Sequence, residues 1–274
     1  MTMFFTEKPA TNWIKLFTTK RDKLRTTKTI PRIEAEWKYA DHPKLEAYQD
    51  CFGFPHSHIP LSYPQILATP LYIQLFTDAR FPFPILGIVH THQKMRLHYP
   101  MTKQSFDIKS WVEGHRIVRA GAEFIVHTEV YQESKLVWDS EMIILSKAIK
   151  GHGKKEVKKE TFLPHPEQVE SWHFPSHLGV QYAKVSGDYN PIHLYPLTAK
   201  MFGMPRHIIQ GMYSIGKILS ALPETISEMN ISFRRPIFLP ASVDFLSSEG
   251  EFLLRNPKNG KTHLSGDYQI TASG

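Results

Sequence analysis

The sequence predicts an α+β protein in which one structural unit occurs twice, each copy an antiparallel sheet accompanied by a helix. Three observations carry that expectation. A strand, a proline break and a second strand recur in both halves of the chain; each half then closes with a hairpin; and an amphipathic helical stripe precedes the strands of the second half.

In the first half, Met95-Arg96-Leu97-His98-Tyr99-Pro100 leads into residues 105–112, and in the second, Ile231-Ser232-Phe233-Arg234-Arg235-Pro236 leads into residues 241–246. Proline has no N–H to give to a sheet ladder, so it belongs at a strand end or edge. The hairpins follow: residues 124–131 turn at Gln132-Glu133-Ser134-Lys135 into 136–145, and residues 252–255 turn at Asn256-Pro257-Lys258-Asn259-Gly260 into 262–270. Before the second set of strands, Met212, Ile215, Ile218, Leu219 and Leu222 recur at helical spacing and Pro223 stands just beyond, which predicts a helix over about 210–222. Its first-half equivalent, near 63–76, opens with prolines and reads as a degenerate helix. The polar, lysine-dense stretch Lys147 to Glu160 carries two glycines and suits a connection. The expected organisation is a basic extension over 1–30, a first repeat over 31–148, a linker over 149–160 and a second repeat over 161–274.

Composition narrows the class. With 274 residues, 41% of them hydrophobic and 12% aromatic, the chain can bury substantial cores and is not expected to be disordered. No apolar run approaches the roughly eighteen residues of a membrane span. Cys51 is the single cysteine, which excludes an internal disulfide and a cysteine-based zinc site within one chain, and fits a reducing, cytoplasmic compartment. The N-terminus lacks the continuous apolar core of a secretory signal, and the terminal Thr271-Ala272-Ser273-Gly274 is not a peroxisomal address. The net charge of +7 sits largely in two stretches, 15–28 and 147–159, rather than along one helix interleaved with aromatics, so a nucleic-acid partner is not expected. Such a basic rim suits an anionic ligand, such as the phosphates of coenzyme A or the acidic face of an acyl carrier protein.

The segment that carries chemistry is Tyr182-Ala183-Lys184-Val185-Ser186-Gly187-Asp188-Tyr189-Asn190-Pro191-Ile192-His193. Gly187 frees the backbone before Asp188, and Pro191 fixes its own φ and biases Asn190 toward an extended conformation, so the segment bends and can aim a carboxylate and an imidazole at one pocket. Taken singly, Asp188 and Asn190 fit a plain Asx turn and His193 a satisfied core histidine. No P-loop or dinucleotide fingerprint appears, Cys51 lies in an ordinary context, and the second Ser-Gly-Asp, at 265–267, has no Asn-Pro-x-His after it and reads as hairpin sequence.

Ser186-Gly187-Asp188-x-Asn190-Pro191-Ile192-His193, then Ala199, then Gly211-Met212, resembles the signature of MaoC-like, (R)-specific enoyl-CoA hydratases and dehydratases. The resemblance is specific over 182–212 and rests on pattern elsewhere. It implies a double hot-dog fold, with an antiparallel sheet wrapped around a central helix in each repeat and a first repeat that shapes the acyl pocket without catalysing. By match, Asp188 and His193 act on the substrate and the Gly211 amide serves the thioester oxygen. Asn190 orients water or holds the loop, Ser186 supports the turn, and Gln210 and Met212 flank the oxyanion glycine. Gln210 departs from the family, which commonly has His there; an amide can hydrogen-bond but cannot carry a proton at neutral pH.

The implied reaction is reversible addition of water to a trans-2-enoyl thioester, giving the (R)-3-hydroxyacyl product, on coenzyme A or carrier protein, with no cofactor and no metal. Which of Asp188 and His193 is the base stays open. A homodimer is compatible, although two repeats already supply its intramolecular version. The rival from another class is a non-catalytic acyl-CoA-binding or regulatory hot-dog protein. The segment Leu86-Gly87-Ile88-Val89-His90 is similar to part of the first repeat in bacterial relatives. His90, His92, Lys94, Arg96 and His98 are expected to alternate on one strand face, as an exposed or interface surface rather than a metal site, with no supporting carboxylate nearby in sequence.

Overall fold

The computed structural model describes residues 2–13, 21, 29–85, 88–149, 163 and 165–270. Most of the lysine-rich connection and the pair Leu86-Gly87 therefore lie outside the described residues. The chain divides into two compact units, one of Met1–Leu45, Ser57–Ile59 and Tyr63–Glu156, the other of Glu46–His56, Pro60–Ser62 and Val157–Gly274.

In the first unit, β1 (Thr2–Phe5) pairs in parallel with β2 (Ile33–Ala40). The other strands are β3 (Ile88–Leu97), β4 (Phe106–Val112), β5 (Arg116–Val118), β6 (Gly121–Gln132) and β7 (Lys135–Ser146). The sheet order is β1-β2-β4-β6-β7-β3, antiparallel from β2 onward, with β5 on β6. Period-two burial builds its core: Ile33, Ala35 and Trp37 on β2 point inward with Phe106 and Ile108 on β4 and Phe124, Val126 and Val130 on β6. The β6–β7 hairpin turns through Glu133 and Ser134, both at positive φ (50° and 65°), the pattern of a two-residue type I′ connection.

The degenerate first-repeat helix is realised as α2 (Tyr63–Leu67) and α3 (Thr69–Thr77), separated at Ala68. Pro70 lacks the N–H that would continue one helix into the other. Beneath them runs a buried polar seam: Ser140 donates to Gln65 at 2.7 Å, and Thr128 bonds Tyr72 at 2.9 Å and Ser110 at 3.1 Å.

The expected alternation along β3 needs correcting. A bulge between His90 and His92 breaks the two-residue period, so His90 turns back and its Nε2 lies 3.0 Å from the His92 carbonyl. The carboxylate that sequence proximity did not reveal comes across the ladder: Asp139 on β7 takes Arg96 at 2.6 Å and His98 at 2.5 Å. No cluster of three or more His, Cys, Asp or Glu able to hold a metal occurs among the described residues.

In the second unit, β8 (Gln168–Phe174), β9 (Ile226–Phe233), β10 (Ala241–Ser248), β11 (Glu251–Arg255) and β12 (Thr262–Ile270) form an antiparallel sheet in the order β9-β12-β11-β10-β8. Four helices, α4 (Leu178–Ser186), α5 (Pro191–Leu194), α6 (Pro196–Met201) and α7 (Gly211–Leu219), fall between β8 and β9. The unit also recruits α1 (Leu45–Phe52) from early in the chain, all but its first residue.

The helix expected over 210–222 spans Gly211–Leu219, with Gln210 as N-cap. It stops early because Ala221 and Leu222 bond Ile218 and Leu219, three residues back, and this tighter turn ends the α ladder before Pro223. Ile215 and Ile218 are fully buried, and Tyr213 meets the Phe174 ring edge-on at 5.5 Å. Phe52 from α1 packs on Gly216 so closely that a Cβ there would lie 2.5 Å from its ring. No helix is long and apolar enough to cross a membrane.

Candidate active site

The site begins where α4 ends. Gly187 adopts the left-handed conformation at φ 78°, and its N–H bonds the Ala183 carbonyl at 2.8 Å, closing the helix. Three side chains then knit the loop in steps of two. Ser186 Oγ donates to the Tyr182 carbonyl at 2.8 Å and accepts the Asp188 N–H at 3.2 Å. Asp188 Oδ1 accepts the Asn190 N–H at 3.1 Å, and Asn190 Oδ1 accepts the Ile192 N–H at 3.3 Å, which caps α5 with Pro191 at its first position.

This loop sets the carboxylate toward the imidazole. His193 Nε2 lies 3.7 Å from Asp188 Oδ2, with the imidazole 10% and the carboxylate 30% exposed. That is too long for a direct hydrogen bond, yet a water oxygen at about 2.8 Å from both atoms fits it. The other ring nitrogen, Nδ1, lies 2.9 Å from the Ile208 carbonyl oxygen. A carbonyl only accepts, so Nδ1 carries the proton and, in the neutral ring, Nε2 presents its lone pair toward Asp188. Ile208 is itself held: its N–H bonds the Ile192 carbonyl at 3.0 Å, and it bridges Phe238.

Gln210 is 1% exposed and joins three parts of the site. Its Nε2 donates to the carbonyls of Gly179, at 3.0 Å, and Asp188, at 3.4 Å, and as N-cap it precedes Gly211. Gly211 opens α7, where the first amides have no carbonyl four residues back and the helix dipole favours negative charge. A side chain at Gly211 would meet the Phe233 ring at 3.0 Å. Met212 follows it, partly exposed.

Tyr182 on α4 is buried, with its ring 5.3 Å from that of Tyr213 and 5.9 Å from that of Phe52, both nearly edge-on. Burial, reinforced by Tyr48, Cys51 and Asp188, raises its phenol far above the ordinary range, so it stays protonated. The seven residues singled out from sequence, Ser186, Asp188, Asn190, His193, Gln210, Gly211 and Met212, thus sit on one loop, one short helix and one helix start. Sequence reasoning missed Gly179, which no motif marks, and Ile208, which contributes only its backbone carbonyl.

A family model described as MaoC like domain matches residues 163–258, which contain all of these positions. The chain is 29% identical to 3-hydroxyacyl-thioester dehydratase X of Mycobacterium tuberculosis over 238 residues, 82% of this chain and 84% of that protein. The crystal structure of HtdX from M. tuberculosis superposes with a TM-score of 0.72 at 25% identity, covering 89% of this chain and 99% of that one. A MaoC-like dehydratase from Phytophthora capsici shares the fold at a TM-score of 0.66 and 16% identity, covering 96% of this chain and all of that one. A sequence signature, a family model matching residues 163–258 and a shared architecture thus agree: the chain is similar to MaoC-like dehydratases and has their α+β double hot-dog fold.

Proposed function

We propose that this protein is a hydro-lyase that adds water to trans-2-enoyl thioesters to give (R)-3-hydroxyacyl thioesters, and runs the reverse dehydration, in fatty-acid metabolism. The observation that carries the reading is the His193–Asp188 pair, 3.7 Å apart, with the imidazole tautomer fixed from behind by Ile208. His193 Nε2 takes a proton from a water held between the two side chains as its oxygen bonds C3. The C2=C3 electrons move toward the thioester carbonyl, whose oxygen gains negative charge. The imidazolium, balanced by the Asp188 carboxylate, returns the proton to C2, so one water is added and the pair is restored.

The growing charge on oxygen needs a fixed donor, and the Gly211 N–H supplies it; losing such a donor costs about 3 kcal/mol of barrier. Ser186 and Asn190 hold the turn, Gln210 ties it to the oxyanion helix, and Met212, next to Gly211, binds substrate or supports that glycine. None of these steps calls on a cofactor or metal. The printed name of the mycobacterial relative, a 3-hydroxyacyl-thioester dehydratase, supports the thioester substrate class.

The test is loss of enoyl-thioester absorbance with crotonyl-CoA and a longer trans-2-enoyl-CoA, with product chirality read in the same samples. Wild type should form the (R) product, and Asp188→Asn and His193→Gln should each lower kcat by about 10²–10⁴. Tight acyl-CoA binding without turnover at any chain length would instead make this a binding or regulatory protein.

A further inference from the structure

One face of the segment after Asp188 plays no part in the chemistry above. Of nine large hydrophobic side chains exposed among the described residues, four fall within positions 189–201: Tyr189 at 43%, Tyr195 at 55%, Leu197 at 73% and Met201 at 77%. Leu197 and Met201 are four apart on α6 and share a face, while Ala199 on the other side is fully buried.

The ridge is held in place. Thr198 Oγ1 donates to the Pro191 carbonyl at 2.7 Å, Ala199 N–H bonds the Tyr195 carbonyl at 3.0 Å, and Met204 N–H bonds the Ala199 carbonyl at 3.0 Å. Its exposure is therefore a property of the fold rather than of a frayed end. The segment that carries it is positive: between Pro175 and Leu222 the sequence has Lys184, Lys200, Arg206 and Lys217 but one acidic residue, Asp188. Lys200 lies on α6 between Leu197 and Met201, Arg206 follows Met201 by five residues, and both are exposed.

We infer that the Tyr195–Leu197–Met201 ridge, flanked by Lys200 and Arg206, is the docking surface for an acidic acyl carrier protein, and that carrier-bound acyl thioesters are the substrate class of the site beside it. The inference rests on the hydratase reading. Coenzyme A would be served by the cations alone and has no use for an aliphatic ridge standing out from a helix. A protein surface with an apolar centre and an acidic rim matches both parts, as the ordinary anatomy of a protein interface requires. A six-residue helix offers too little apolar area to hold a membrane surface by itself. The partner would seat within a few residues of His193, from where a flexible arm could deliver the thioester.

The experiment compares one trans-2-enoyl group delivered on an acyl carrier protein, on coenzyme A and on pantetheine, with wild type, Leu197→Glu/Met201→Glu and Lys200→Glu/Arg206→Glu. Both double variants should lower kcat/KM on the carrier thioester by about tenfold and leave the two small thioesters within about twofold. The wild-type preference for the carrier should fall as salt rises. In parallel, calorimetric titration with carrier protein bearing a saturated acyl group reads docking without turnover. If no thioester is hydrated but this binding is present and lost in the variants, the hydratase reading fails and the docking surface stands. Equal loss on all three thioesters, no loss on any, or wild-type binding to anionic vesicles but not to the carrier would overturn the inference.

Discussion

A β-carbon on Gly179 would stand 2.0 Å from the carbonyl oxygen of His193. The start of α4 is thus pressed against the backbone of the imidazole-bearing turn, and only hydrogen fits between them. Gly179→Ala should push that turn outward, lower stability by about 1–3 kcal/mol and reduce kcat more than it raises KM. Urea unfolding and steady-state kinetics on one preparation check both; wild-type values in each would show that the turn moves freely.

The histidine tautomer is a direct spectroscopic target. Nitrogen-15 correlation spectra of the neutral imidazole should show His193 protonated at Nδ1, because Ile208 offers that nitrogen only an acceptor. A ring protonated at Nε2 would contradict the assignment of that atom as the base.

Gln210 should behave as a positioning residue. Its carboxamide offers two N–H bonds to two carbonyls, whereas a neutral imidazole carries a single N–H. Gln210→Met, which keeps the length and removes both bonds, should cost about 1–3 kcal/mol of stability and lower kcat. Gln210→His should recover part of the rate and add a third titrating group to the kcat–pH profile. A stability loss with unchanged kcat and an unchanged profile would reduce the residue to packing.

Phe52 and Gly216 form a coupled pair. Alanine is usually the better helix former, yet a Cβ at 216 would meet the Phe52 ring, which Tyr48, Tyr182 and Tyr213 surround. Gly216→Ala should therefore destabilise by about 1–3 kcal/mol, and pairing it with Phe52→Leu should return part of that. Additive effects in a double-mutant cycle would disprove the contact.

Stability should also depend on pH through His90, which burial pushes down to about 4. Its folded-state pKa lies below the ordinary imidazole value, so the unfolded chain binds the extra proton more readily. The contribution is fully present above about pH 6.5 and is lost as pH falls toward 4, on the order of 1–2 kcal/mol. Burial also lowers His42, His115, His127 and His263, so these act in the same direction. Melting curves at pH 7 and pH 5 should separate in wild type and lie closer together in His90→Gln.

The strands were legible because each obeys a local rule: the two hairpins turn within a residue or two of where turn chemistry placed them, and the prolines fall at strand ends. The loop was legible because Ser186, Asp188 and Asn190 each bond a backbone N–H two residues on. What could not be read is non-local. Phe52 meets Gly216 from more than 160 positions away, Gly179 is a lone glycine without a motif, and Ile208 acts through an atom that every residue possesses. The β3 bulge is set by pairing with β7, which the β3 sequence alone does not encode.

Asp188 is asymmetric in a way that bears on how its chemistry can be dissected. One oxygen is committed to the Asn190 amide and the other faces the imidazole. Asparagine at this position can keep its carbonyl on the first duty and turn an NH₂ to the second, so it replaces the oxygen that faces the imidazole while leaving the turn intact. Alanine removes both at once and confuses a broken loop with a lost reaction. On the proposed reaction the carboxyl group is half architecture and half reagent, and only a substitution that respects that division reports on the reagent.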